Sequence, residues 1–335
     1  MIALGAAFAL TVASGYAAAR VLAPEHPPSL LKLARDLCLG FGIGLGSSSF
    51  VFILFSFVRY PGAPGYLFTD VLIHLLILAA ALIHEWRRRD TFATGTARNA
   101  DISRNIAFVF AASFAVYFLT SLFCSALDYH ALPHGRWDAW AIWNLRARFF
   151  FFDGPHWERA FLPPLQWSSP DYPLLLPSIV AKFWLCLGKA ATAVPATLSI
   201  CFTYAVVLLA MSSVGLLRGF IPGSLAGIAI LSNQRFIGLA AHQYADVPLS
   251  FFLLASLVLL AFHDEAGLPP VVIGLHDPAL HRAADVRLER VALHPREQLG
   301  EQRRVHPVGA VAVPLVIERV ERPLIELTLR KTGGN

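Results

Sequence analysis

Four short stretches carry residues whose types and spacing could do chemistry. In GRWDAWAIWNLRARFFFF (135–152), Asp138 sits among Trp137, Trp140 and Trp143, with Arg146 and Arg148 following. Tryptophans every three residues favour the headgroup layer, and the arginines can pair with lipid phosphate or with acidic groups. An anchoring helix gains nothing from a carboxylate beside anionic headgroups. Asp138 is therefore a candidate for chemistry, with a merely solvated acid as the alternative. In HQYADVPLSFF, Asp246 precedes Val247 and Pro248, so it is either a site residue or a helix cap. In SSPDYPLLLP, Asp171 stands before an aromatic residue and a proline, where a cap is the favoured role. In SNQRFIGLAAHQ, Arg235 interrupts an apolar run, and His242 follows two turns later. A charge in such a run faces a polar cavity or a partner. Arg235 and His242 could meet a phosphate, and a structural ion pair is the alternative for Arg235.

The elements that must position these residues are membrane helices. The chain has 335 residues, 56% hydrophobic and 15% charged, against about 25% charged in soluble domains. Its net charge of +5 points to an inside-positive membrane protein and not to a nucleic-acid binder. A spanning helix needs about 20 apolar residues. Runs of this kind occur near 2–22, 37–58, 67–84, 106–127, 191–217, 223–242 and 247–263. The loops at 20–36 and 85–105 hold Arg20, Lys32, Arg35, EWRRRD, Arg98 and Arg104, and so face the cytoplasm. The segment 128–171 then lies outside. The apolar run 172–188 is short and contains Lys182, so it reads as a re-entrant or interfacial helix. That assignment puts Asp138 and Asp246 on one face.

Other signals are weaker. No GxxxxGK[ST], HExxH, GxSxG or CxxC occurs, and the histidines form no metal-ligand spacing. Cys38, Cys124, Cys186 and Cys201 lie in apolar runs and read as small buried hydrophobes. The N-terminus lacks a basic n-region, so it reads as a first membrane helix and not as a cleaved signal. The expected organisation is an all-α polytopic bundle: N-terminal helices over 1–105, a core over 106–263 with an external loop at 128–171, and a polar tail over 264–335. PVGAVAVPLVI (307–317) in that tail is too short to span. The tail reads either as a soluble cytoplasmic extension or as a frameshifted or truncated end.

The order RWDAWAIWNLRARFF, PDYPLLLP, QYADVPL resembles the bacterial integral-membrane glycosyltransferases of the GT-C superfamily. The nearest in kind are the dolichyl-phosphate-mannose–protein mannosyltransferases (glycosyltransferase family 39) and the lipid A aminoarabinose transferase. The resemblance covers roughly 106–263. It implies transfer of a sugar from a polyprenyl-phosphate carrier to a lipid, glycan or protein acceptor outside the bacterial cytoplasmic membrane. Asp138 matches the family's catalytic aspartate and would act as general base. Asp246 matches its second external acid, which orients the acceptor or, in some relatives, helps hold a divalent metal. Arg146, Arg148, Arg235 and His242 would meet the departing phosphate. No other cofactor, and no nucleic acid, is implied. The family usually continues with further helices and a KNEG-like stretch, which this chain replaces with its polar tail, so an inactive chain is one expectation. A non-enzymatic transport or scaffold protein remains the alternative.

Overall fold

Long runs of Leu, Ile, Val, Phe and Ala satisfy their backbone polar groups by folding as helices, the only open-ended structure that hydrocarbon tolerates. A computed structural model describes residues 2–23, 26–88 and 104–265 of the chain. It is all-α. Among the described residues, six helices are long and apolar enough to cross a membrane. They are α1 (Ile2–Leu22), α2 (Leu30–Val58), α3 (Tyr66–Arg88), α4 (Arg104–Ala131), α7 (Ala193–Arg218) and α10 (Asp246–Glu265). Between them lie the shorter α5 (Asn144–Phe152), α6 (Leu175–Leu187), α8 (Phe220–Leu231) and α9 (Gln234–His242).

The expected span at 223–242 is not one helix. The chain leaves helical geometry at Asn233, and the Asn233 side chain caps α9 by accepting from the Phe236 amide at 3.2 Å. Asparagine caps well because its side-chain oxygen satisfies an otherwise orphaned N–H. Arg235 therefore stands exposed in the first turn of a new helix and does not interrupt a continuous one. The tail from 266 onward lies outside the described residues.

α1 and α2 pack at backbone contact. A Cβ on Gly15 would lie 2.0 Å from the Gly40 carbonyl oxygen, and one on Gly44 would lie 2.1 Å from that of Thr11. Small residues allow this approach, and close packing is what holds helices together in lipid. The core then fills with rings: Phe41, Phe202 and Phe251 meet with centroids 4.9 to 6.0 Å apart.

Contacts fix the two ends of the bundle. At one end, Arg20 pairs with Glu85 at 2.9 Å, and the Arg35 guanidinium lies over the Phe262 ring at 4.6 Å. The C-termini of α1, α3 and α10 and the N-terminus of α2 thus gather together. At the other end, Phe57 meets Trp157, and Tyr60 approaches Gly154. The segment 132–192 belongs to this second end. α6, about 20 Å long at 1.5 Å per residue, is too short to cross. Leu176 near its start borders the same cavity as Pro195 at the start of α7 and Pro248 at the start of α10. α6 therefore dips into the bundle without changing ends, as the re-entrant reading requires.

Candidate active site

The helical run carrying Asp138 starts at Trp137 and widens into a π-helical stretch at Ala139–Trp143 before continuing as α5. Such widened turns recur at functional sites because they re-aim side chains. Here the tryptophans, three residues apart in sequence, do not share one face. Trp137 and Trp140 pack edge to face at 4.7 Å, with Trp167 beside Trp137, whereas Trp143 turns inward and stacks on Tyr172. Asp138 makes no capping hydrogen bond, so its carboxylate is not committed to the helix start.

The chain between α9 and α10 closes over this run. Gln243 is buried in the left-handed region at φ 58. Its side chain accepts from Asn144 Nδ2 at 3.1 Å and donates to the Pro133 carbonyl at 3.3 Å. The Arg136 amide donates to the His242 carbonyl at 3.2 Å. Only glycine fits at Gly135, at φ 72, because a Cβ there would lie 2.7 Å from that same carbonyl. These ties bring Asp138, Tyr244 and Asp246 into one group, since the two carboxylates and the phenol all interact electrostatically.

Burial pushes the Asp138 carboxyl above its usual value, and the neighbouring Asp246 charge raises it further. The Tyr244 phenol is likewise raised, first by burial and then by Asp138. Tyr244 therefore keeps its proton and can donate it in a hydrogen bond. Arg136 is exposed, and its charge acts on both His242 and Tyr244. The arrangement offers a base of raised pKa, a second acid, a hydroxyl donor and a cation on one partly open face. No three of the His, Cys, Asp or Glu residues described come together as a metal cluster.

The other expected residues separate. Arg146 is fully buried, and its Nη2 donates to the carbonyls of Ser168, at 2.6 Å, and Ser169. Burial lowers its guanidinium pKa, and the charge of Asp171 opposes that shift. Arg146 thus braces the turn before α6 and does not face the acids. Asp171 is exposed and is not the cap of α6, whose capping position is Leu174. Arg148 borders a second cavity with Trp140, Asn144 and Trp184. Asn144 also lines the first cavity, which Tyr244 borders, so the two cavities adjoin. Seven residues separate Arg235 from His242, roughly 10 Å along the helix. The four cysteines are free, with Cys38 buried, Cys186 and Cys201 half-buried and Cys124 exposed.

Sequence reasoning missed Arg136, Tyr244 and Gln243 as site residues. Tyr244 and Gln243 stood inside the quoted QYADVPL and its flank, and Arg136 directly precedes Trp137. It also missed Asp70 and His74, one turn apart in an apolar run, which meet Lys182 inside the bundle. No family model matches the chain, and no curated protein or solved structure matches it with significance.

Proposed function

We propose that this multi-pass membrane protein is a glycosyltransferase that moves a sugar from a polyprenyl-phosphate carrier to a hydroxyl-bearing lipid, glycan or protein on the outer face of the cytoplasmic membrane. The reading rests on the resemblance of its three ordered motifs. The observation that carries it is the convergence of Asp138 and Asp246, 108 positions apart in sequence, into one electrostatically coupled group with Tyr244.

In this reading the ionised Asp138 takes the proton of the acceptor hydroxyl as that oxygen bonds to the anomeric carbon. The carbon–oxygen bond to the carrier phosphate breaks, and its electron pair leaves with the phosphate. That group is already a good leaving group, so the site needs a placed base and a cation more than a strong acid. Arg136 supplies a positive charge, and Arg148 can supply a second from the adjoining cavity. Asp246 orients the acceptor; the described residues around it offer no set of ligands for a metal. Arg146 takes a supporting part by holding the turn before α6.

The test is sugar transfer by the full chain, purified in detergent and supplied with polyprenyl-phosphate sugars and candidate acceptors. Asp138→Asn should abolish turnover while the protein still inserts and folds. Undiminished turnover in that variant would remove Asp138 from the mechanism. A transport or scaffold protein would show no transfer at all and would be indifferent to the substitution.

A further inference from the structure

Six polar side chains from four helices meet inside the bundle, away from the acid group. They are Thr11 and Ser14 of α1, Ser48 of α2, Asp70 and His74 of α3, and Lys182 of α6. Five are fully buried and Asp70 is 3% exposed. Ionisable groups at such depth in a membrane protein are costly and are kept for a reason.

The hydrogen bonds can be counted. The Lys182 ammonium has three N–H bonds. They meet three oxygens: Thr11 Oγ1 at 2.8 Å, Asp70 Oδ2 at 2.8 Å and Ser48 Oγ. His74 has Nδ1 2.6 Å from Ser14 Oγ and Nε2 2.7 Å from Ser48 Oγ. Ser14 Oγ also lies 3.0 Å from the Thr11 carbonyl oxygen, and Ser48 Oγ lies 3.0 Å from Asp70 Oδ1. Each serine has one proton to give. If the ring is neutral, one of its nitrogens is an acceptor. The serine facing that nitrogen must spend its proton there and forgo the Thr11 carbonyl or Asp70. If the ring carries a second proton, both N–H groups donate to the serines, and both serines donate onward. With Asp70 ionised opposite the Lys182 ammonium, only the imidazolium makes all four contacts at once.

We infer that this cluster is an intramembrane proton-binding site, with His74 as the acceptor and Ser14 and Ser48 as its relays to Thr11 and Asp70. The proton comes from hydronium: one O–H bond breaks, leaving water, as one N–H bond forms on the ring. The charged and titratable groups around it come from two helices. α3 brings Asp70, whose Oδ1 is 3.7 Å from His74 Nε2, and Tyr66, which interacts with Asp70. α6 brings Lys182 and Cys186. α1 and α2 face the ring with hydroxyls. Asp70 and Lys182 balance each other, so the proton is the cluster's net charge. α6 also lends Leu176 and Val180 to the cavity beside Trp143 and Tyr244. The helix that carries Lys182 thus also lines the cavity that Tyr244 borders.

The test is nitrogen NMR of the full chain, labelled with 15N-histidine, in detergent micelles. His74 is assigned by the signals missing in His74→Gln. The expected result is a doubly protonated imidazolium that titrates as a single proton. Ser48→Ala keeps the ring but removes its relay to Asp70. Hydrogen bonds to charged groups are worth enough that this variant should bind the proton roughly tenfold more weakly, moving the midpoint down by about one pH unit. A ring that stays a single neutral tautomer across the pH range of the folded protein would overturn the inference. So would an unchanged midpoint in Ser48→Ala, which also serves if His74→Gln does not fold.

Discussion

Asp138 is half-buried, lies next to a like charge and makes no capping bond at its helix start. Each of these features suits a base and none suits an anchor. If it is the base, Asp138→Asn should cut transfer by about 10²–10⁴-fold, the usual worth of general-base catalysis, with little effect on donor binding. The pH profile carries a sign. A base works when ionised, so activity should rise with pH through the folded pKa of Asp138. That value is raised by burial first and Asp246 second. The limb should therefore lie above the ordinary carboxylate range. Asp246→Asn removes the second cause only, so whatever activity remains should show the limb displaced to lower pH but still elevated. An unmoved limb in that variant would assign it to another group. At this scale the sequence singled out the two acids, because each stands out against its neighbours. It could not rank the arginines. Arg146 and Arg148 differ by two positions, yet one is fully buried against carbonyls while the other borders a cavity.

Among the elements, the segment 243–246 decides whether a site exists, because it joins α9 to α10 across the Asp138 run. Gln243 holds both sides of that junction. Gln243→Ala loses two hydrogen bonds and leaves the Asn144 amide short of a partner, which should cost about 1–3 kcal/mol. Thermal unfolding in detergent would measure this, and transfer should fall as well. The α1–α2 contact makes a second prediction. Gly44→Leu drives a side chain into the Thr11 backbone 2.1 Å away, and overpacking of this kind costs typically 1–3 kcal/mol or more. The pair should loosen, seen as faster proteolysis of the α1–α2 region. Hydropathy placed most spans to within a few residues but merged α8 and α9. Both pieces are apolar, and only the backbone turn at Ser232 and Asn233 separates them.

Across the whole molecule, one end collects Arg20, Lys32, Arg35 and Glu85, and the other collects the aromatic segment and the acids. The proposed orientation, drawn from the positive-inside bias, has the acids outside. In a cysteine-free background, Glu158→Cys should react with an impermeant maleimide on intact spheroplasts. Leu30→Cys should react only after permeabilisation. The reverse pattern would invert the proposed orientation. The Asp70–Lys182 pair knits α3 to α6, so Lys182→Met should destabilise by about 3–5 kcal/mol by stranding a buried carboxylate. Adding Asp70→Leu should recover much of that loss in the same unfolding assay.

The sequence by itself determined the solvent of this protein, the helical class, most of the span positions and the two acids worth suspecting. Those are local properties: apolar length, loop charge and the oddity of a carboxylate among tryptophans. Only the tertiary structure decided that Asp138 and Asp246 feel each other's charge, that Tyr244 and Arg136 join them, that Arg235 starts a separate helix, and that Asp70, His74 and Lys182 close a buried network. Those facts depend on which way side chains point once helices pack. A one-residue widening at 139–143 or a break at Asn233 changes that direction without leaving a clear trace in composition.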